Sequence, residues 1–563
     1  MKLFFLGWSG KDLGVVAAMK NLKQAGHEIV YCTCSNLDKE IDRADFPGTI
    51  FQEHLAAEEG IPAPALSNEK FDPPGEELLG KLLEAESTVM TMMNKHFERM
   101  SISERKNLYF NYVGYWNGVI KKYRPEAMVF LATPHNNYDF VIYSLAKLFG
   151  IKTIMLEAIW VNDRVLIMED LEKGSASFLK YQNQDFDFEL LSQDLKDFYR
   201  WQIDKEKDPI PFYVNDTWKR FSGLNFLKLK SRIFYKSAKD LSIFKKSYFF
   251  LKKRLGKNPI KEYQQVQSEP DFSEGTHSQN SFGRDTSQFW AAPEATTKVY
   301  PLDTPRRSDA VIARNWLYPF GLRRFFRSAS LLLGKVSKDT ISSSRLAESK
   351  KSLATRPEPI LRMGSKFVYL PLHYQPERAT SPQGGIFTDQ ILMVEMLAAS
   401  LPVGWQLYVK EHPVQWLVRG PTYFNCRFPG YYQMLASIKN VKLIPVSTNS
   451  FTLIKKCQAV ATVTGTPGWE AVFKLKPVLA FGYPWYQYCK GIFRVFDVRS
   501  CRKALEEISG GLILEKQGII NFLGALEQVT FHGYLEEAGK GISALTPKEN
   551  GAAIANAIAS LLL

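Results

Sequence analysis

Two stretches decide how this chain is read: Leu407-Tyr-Val-Lys-Glu-His-Pro413 and, further on, Ala459-Val-Ala-Thr-Val-Thr-Gly-Thr-Pro-Gly-Trp-Glu-Ala471. Each is a short β-type apolar run that stops at small or polar residues, and the second passes directly into a helix start with Pro467 at its first position. In an open parallel sheet, ligands bind beyond the carboxyl ends of the strands, where loops and helix N-termini converge. His412 and the Thr464–Gly468 loop both belong there. A hydroxyl-rich turn containing glycine lets backbone N–H groups approach a phosphate, and the helix that follows adds the positive end of its dipole. The plainer reading is that Thr466 caps a helix and His-Pro ends a strand. The anion site gains weight because the two pieces occur together on neighbouring strands of one domain.

Working outward, strands and helices alternate through the whole segment. Strands are expected over 367–370, 406–410, 441–444, 459–463 and 477–481, and helices over 388–400, 431–438, 448–457 and 467–475. That alternation predicts a doubly wound parallel sheet. His373 and Glu377 then follow its first strand, on the same edge as His412.

The run from about Phe367 to Asp497, roughly a quarter of the chain, resembles the capsule polysaccharide biosynthesis family. The pieces that carry the resemblance are Tyr369-Leu-Pro-Leu-His-Tyr-Gln-Pro-Glu377, Lys410-Glu-His-Pro413, Thr464-Gly-Thr-Pro-Gly-Trp-Glu-Ala471 and Lys476-Pro-Val-Leu-Ala-Phe-Gly-Tyr-Pro-Trp-Tyr486. The best-understood members are sugar transferases of the two-domain GT-B type, including β-Kdo transferases. The resemblance implies that Lys410, His412, Thr464, Gly465 and Thr466 hold the phosphate of a nucleotide-sugar donor and that Glu470 reaches its ribose. The Kdo enzymes carry a longer Gln-x-Ser-x-x-Gly-x-Glu-Ala-Leu pattern. Here Thr462-Val-Thr-Gly-Thr-Pro-Gly-Trp-Glu-Ala-Val lacks the glutamine, which leaves the donor open, with CMP one candidate nucleotide.

The N-terminal part opens with a βαβ pattern: a strand over 2–6, a helix over 12–25 and a strand over 28–32. Its turn Gly7-Trp-Ser-Gly-Lys-Asp12 departs from a P-loop, because Asp12 stands where Ser or Thr is needed, and from a nucleophile elbow, because Gly10 comes one residue early. A helical pattern runs from 76 to 122. A second βαβ unit places Ala132-Thr-Pro-His-Asn-Asn-Tyr-Asp139 after the strand 127–131. His135 and Asp139 are therefore candidates for a general base on the acceptor, the alternative being a polar turn that caps a helix. By resemblance this is the acceptor domain. Asp185-Phe-Asp187 matches a metal-holding Asp-x-Asp pair, but no strand precedes it, and no metal is expected.

At 563 residues the chain divides into two or more domains, and 45% hydrophobic with 13% aromatic residues marks it as globular. Its net charge of +14 favours acidic partners. Much of the excess lies between Lys219 and Lys261, where cations interleave with Phe, Leu and Tyr as in a helix lying on an anionic membrane surface. No motif accompanies that charge to suggest nucleic acid. The segment 264–297 is polar and expected to be disordered, a second basic patch covers 316–327, and a Ser/Lys-rich tether covers 337–359. The six cysteines form no metal or disulfide spacing. Neither a signal peptide nor a membrane span is expected, which places the protein in the cytoplasm, peripheral on the inner face of a bacterial inner membrane.

The expected fold is thus α/β, with two Rossmann-like domains facing a cleft (GT-B-like) and a basic helical, partly disordered insertion between them. The boundaries are 1–165 for the acceptor domain, 166–263 for the basic helical segment, 264–362 for the linker with its second basic patch, 363–545 for the nucleotide-sugar domain and 546–563 for a closing helix. The expected activity is transfer of a sugar from a nucleotide donor to a glycan or lipid-linked acceptor, without cofactor, using His135, Asp139 or Glu377 in catalysis. The rivals are a glycerophosphotransferase of teichoic-acid type and a non-catalytic scaffold of a polysaccharide assembly complex.

Overall fold

The computed structural model describes residues 1–159, 161–181, 183–205, 366–413, 415 and 426–562. The expectations for 219–261, 264–297, 316–327 and 337–359 lie outside the described residues.

Six strands of the N-terminal part build the first sheet: β1 (Lys2–Leu6), β2 (Glu28–Cys34), β3 (Ile50–Glu53), β4 (Ala127–Phe130), β5 (Lys152–Ala158) and β6 (Arg164–Met168). They lie in the order β3-β2-β1-β4-β5-β6, all parallel except β6, which runs antiparallel to β5. β1 and β2 expose only their first residue, as parallel strands covered by helices on both faces do. The helix Val15–Gln24 buries Val15, Val16, Ala18, Met19 and Leu22, an apolar stripe at three- and four-residue spacing. The helix Asn137–Phe149 ends at Gly150, whose φ of +68° closes it in the left-handed conformation. Between 76 and 122 the expected helical stretch is interrupted. Helices span Glu76–Lys81, Leu83–Met92 and Ile102–Tyr123, and the last is started afresh by a capping box between Ser101 and Glu104.

The second sheet contains β7 (Phe367–Pro371), β8 (Gln406–Lys410), β9 (Val441–Ile444), β10 (Ala459–Thr462), β11 (Val478–Ala480) and β12 (Ile492–Arg494). All its pairings are parallel and its order is β9-β8-β7-β10-β11-β12. Both sheets therefore follow the 3-2-1-4-5-6 winding of dinucleotide-binding folds, with the direction of winding reversing between β1 and β4 and between β7 and β10.

After the helices Val498–Ser509 and Lys516–Val529 the chain returns to the first sheet. There β13 (Thr530–His532) pairs antiparallel with β6, and the helix Pro547–Leu562 packs on Val15–Gln24. The contact is backbone to backbone: a Cβ on Gly14 would lie 1.7 Å from the Pro547 carbonyl oxygen, and one on Gly551 would lie 2.6 Å from that of Gly14. Asn550, fully buried, ties this corner by donating to the carbonyls of Leu13 and Tyr534.

The carboxyl edges of the two sheets are bridged. Arg378, beyond β7, makes a bidentate ion pair with Glu157 near the end of β5 at 2.8 and 3.0 Å, and the hydroxyls of Thr91 and Ser381 meet at 2.6 Å. Two Rossmann-like halves thus face one another across a cleft. Among the described residues no helix is long and apolar enough to cross a membrane.

Candidate active site

Register sets the C-terminal half of the site. Pro371 lies opposite Lys410 and Tyr369 opposite Val460, so β7, β8 and β10 end level. Two residues past each end come His373, His412 and Thr464, side by side at the point where the winding reverses.

His373 is buried and fixed by its neighbours. Its Nε2 accepts the Val463 amide at 3.0 Å and lies 2.9 Å from the Thr462 hydroxyl, which leaves the ring proton on Nδ1. Burial, with His412 and Arg427 nearby, pushes its pKa down to about 3, so the ring is neutral at working pH. The Thr462 hydroxyl also accepts the Gly465 amide at 3.1 Å. Gly465 is required by this crowding, since a Cβ there would stand 2.7 Å from Cε1 of His373. The Thr464 hydroxyl donates to the Ala379 carbonyl at 2.7 Å. The amides of Thr464 and Thr466 have no hydrogen-bond partner among the described residues, as expected where the helix Thr466–Phe473 begins. Those two N–H groups and the helix dipole are what the turn offers to an anion.

His412 is half-buried beside Tyr374, with ring centroids 5.9 Å apart. Burial lowers its pKa most; Glu411 opposes this while Arg427 and Lys410 add to it, and the result is about 4. Behind it lies a polar network that the sequence reading missed. Arg427 and Glu411, both with fully buried side chains, pair at 2.6 and 3.1 Å. Arg427 also donates to Oε1 of Gln375 at 2.7 Å and to the carbonyl of His373 at 3.0 Å, while Glu411 accepts the His412 amide at 2.7 Å and the Tyr432 hydroxyl at 2.6 Å. Gln390 completes it by binding His373 through both amide and carbonyl. Burial works against the charge on Arg427, and Glu411 outweighs it. One ion pair therefore anchors both histidine-bearing loops. Its only trace in the sequence is an acid inside Lys-Glu-His-Pro, because Arg427 stands 16 residues after Glu411.

Two expected donor ligands are engaged elsewhere. The Lys410 ammonium donates to the Thr448 carbonyl at 2.6 Å and the Ser450 hydroxyl at 2.9 Å, tying β8 to the helix Ser450–Lys456. Glu470 is paired at 2.6 Å with Lys205 from the end of the helix Gln193–Asp204, and both side chains are nearly buried. Trp469 beside it packs on Phe473, Trp485, Tyr486 and Phe522, which fixes the helix Thr466–Phe473 against the rest of the molecule.

In the first sheet, His135 follows β4 at the other reversal point. Its Nδ1 lies 2.8 Å from the Thr133 carbonyl and so must donate to it, which leaves a lone pair on Nε2. Burial, then Arg378 and Lys95, push its pKa down to about 3. Asp139 is buried and turned into its own helix: it accepts the Asn136 amide and side-chain N–H, both at 2.8 Å. Burial raises it to about 7. The structure brings His135 to the cleft and gives Asp139 a capping role. Glu377 stands half-buried in the bridging loop, where its carbonyl accepts the Thr380 and Ser381 amides at 3.0 Å each. Asp12 lies in an exposed 3-10 turn. Asp185 accepts from Asn521 at 2.7 Å and Asp187 caps a turn at the Glu189 amide at 2.9 Å, so both carboxylates hold local structure.

Residues 378–494 match the family described as capsule polysaccharide biosynthesis protein. The matched capsule-synthesis segment runs from Arg378 through β12 and contains His412, Arg427 and the Thr464–Glu470 turn. No curated protein matches the chain by sequence. Among solved structures, the chain resembles the β-Kdo 2,7 transferase KpsC of Thermosulfurimonas dismutans (16% identity, 38% of this chain and 62% of that one, TM-score 0.22). It also resembles the β-Kdo 2,4 transferase of that organism's KpsC (17% identity, 32% and 63%, TM-score 0.20). A third likeness is to Anabaena Alr3699/HepE, solved with UDP and glucose (14% identity, 39% and 53%, TM-score 0.20). The chain thus spans less than two thirds of each of these structures.

Proposed function

We propose that the chain is a glycosyltransferase that moves a sugar from a nucleotide-activated donor onto a glycan or lipid-linked acceptor in surface-polysaccharide assembly. The observation that carries this reading is the coincidence of the capsule-synthesis segment with the reversal point of the second sheet. His412 and the Thr464 and Thr466 amides converge there on a place for the donor diphosphate or monophosphate. The leaving nucleotide gains negative charge as its bond to the sugar breaks, and preorganised N–H groups, the helix dipole and His412 stabilise that charge without a resident metal. Lys410 contributes through its charge from behind the loop. Glu470 contacts the ribose once Lys205 swings away or shares it.

The acceptor hydroxyl sits across the cleft at the end of β4. His135 takes its proton on Nε2 while Thr133 holds the tautomer through Nδ1. Asp139 and Glu377 act as positioning groups, the first by fixing the Asn136 turn and the second within the bridging loop. The basic run 219–261 holds the enzyme peripherally at an anionic membrane face, where a lipid-linked acceptor is reached.

The test is turnover of His135→Asn with a nucleotide sugar chosen by binding. Turnover should fall on the order of a hundredfold or more while nucleotide affinity is retained. Undiminished turnover would remove His135 as the base. A response to CDP with transfer of glycerol phosphate and no sugar would turn the reading to a glycerophosphotransferase.

A further inference from the structure

The first sheet carries a second constellation at its carboxyl edge. His54 follows β3, His135 follows β4, Arg378 reaches over from beyond β7, and Lys95 stands in the loop after the helix Leu83–Met92. The last turn of that helix is held at the cleft by the contact between Thr91 and Ser381 at 2.6 Å. Both imidazoles are held through Nδ1. His135 is fixed through Nδ1 by Thr133, and Nδ1 of His54 lies 2.9 Å from the Tyr138 hydroxyl. Tyr138 in turn meets the Thr33 hydroxyl at 3.0 Å, and Thr33 accepts the Gly7 amide at 2.7 Å. If each hydroxyl of this relay donates toward His54, its Nε2 carries the proton and is a donor. Neither Nε2 has a hydrogen-bond partner among the described residues.

The Lys95 ammonium is half-buried and makes no hydrogen bond or ion pair among the described residues, yet it lies near enough to His54, His135 and Asp139 to bias each of them. The described acids around it are bound to other groups or raised by burial. Glu157 is neutralised by Arg378 and also accepts the Thr133 hydroxyl at 2.7 Å, and Asp139 caps its own helix. Glu536, near the Arg378–Glu157 pair, is raised by burial, Glu58 is bound by the Asn137 amide and side chain, and Glu53, which favours a charged His54, accepts the Asn36 and Leu37 amides at 3.0 Å each. A cation and two imidazoles thus lie close together at this edge, and the described acids around them are bound to other groups or raised by burial.

We infer that this cluster binds an anionic group, a phosphate or a carboxylate, carried by the acceptor next to its reacting hydroxyl, with Lys95 as the principal contact and His54 and His135 beside it. The binding of an anion stands on the residues alone; its assignment to the acceptor rests on the transferase reading. It also supplies what His135 lacks. Burial first, and then Arg378 and Lys95, hold that imidazole far below the range useful for a base at neutral pH, and the two cations are the part an anion can counter. A bound anion offsets them and raises its proton affinity.

The experiment uses the full chain with sulfate as a tetrahedral probe and formate as a carboxylate probe, since both keep nearly constant charge above pH 5.5. Binding is read from the His54 and His135 ring signals by NMR, assigned with His54→Asn and His135→Asn. The stronger probe should bind more weakly as pH rises from 5.5 to 7.5, because the anion brings a proton onto His135. Lys95→Met should weaken it about tenfold, Lys95→Arg should restore it, and His135→Asn should flatten the pH dependence. Which probe binds more tightly tells phosphate from carboxylate. Absence of binding by both, or binding that Lys95→Met leaves intact, overturns the inference. Binding here together with no response to any nucleotide would instead sink the transferase reading and leave the anion site standing.

Discussion

Arg427→Met is the most informative single change, because one side chain anchors both histidine loops. It removes two hydrogen bonds to Glu411 at 2.6 and 3.1 Å, and one each to Gln375 at 2.7 Å, Cys426 at 2.9 Å and His373 at 3.0 Å. Glu411 keeps the Tyr432 hydroxyl and the His412 amide but loses its counter-charge at a place where neither side chain is exposed. Two unit charges about 3 Å apart at an effective dielectric of about 20 interact by roughly 5 kcal/mol. Breaking a buried pair by removing one partner costs about 3–5 kcal/mol, most of it the uncompensated charge. Arg427→Met should therefore lose that much local stability, and the double variant Arg427→Met/Glu411→Gln should recover about 1–3 kcal/mol of it. The two sheets need not unfold together, so the assay is hydrogen exchange in peptides covering 367–371 and 406–412. Exchange within about 1 kcal/mol of the native protein, or a double variant no more stable than the single one, would refute the reasoning.

Three further outcomes follow from the same geometry. His412→Ala should weaken nucleotide binding roughly ten- to a hundredfold, the worth of a charge-assisted hydrogen bond, with an unchanged melting temperature; calorimetric titration checks it. Gly465→Ala brings a Cβ to 2.7 Å from the His373 ring and must displace it from Val463 and Thr462, so the same titration should show about a tenfold loss and the melting temperature should fall. Glu58, buried and with Asp139 nearby, is pushed up to about 8. The folded state then keeps a proton that the unfolded chain has released, so stability is lost as pH rises from about 4.5 to 8. Glu58→Gln should remove up to about 1.4 kcal/mol per pH unit of that slope in urea titrations, and an unchanged slope would contradict it.

The parts of the fold legible in the sequence are those whose signals are local. Gln406–Lys410 and Val441–Ile444 are strands to the residue, because each apolar run is bounded by breakers and is long enough to show its character. Ile492–Arg494 and Thr530–His532 are three-residue strands, and the second continues directly from the helix Lys516–Val529 with no turn between them; they exist because of non-local pairing to β11 and β6. The site divides in the same way. His412 and the Thr464–Thr466 turn were visible as strand-end chemistry. Where the Lys410 ammonium points was not, because its partner Thr448 follows the next strand, and Glu470 meets Lys205 only through tertiary packing. Asp139 shows the opposite case: an Asn-x-x-Asp spacing is a capping signature, and the cap is what forms. Lys95 and His54 carry no motif, and only the winding of the sheet places them with His135.

The claim at the centre is that a nucleotide binds at the reversal point between β7 and β10. The direct measurement is the melting temperature of the full chain with CMP, UDP and CDP added one at a time, repeated on His412→Ala. The account predicts that one nucleotide raises the melting temperature in a concentration-dependent way and that the rise shrinks in the variant. A flat response to all three would contradict it, as would a rise that His412→Ala leaves unchanged.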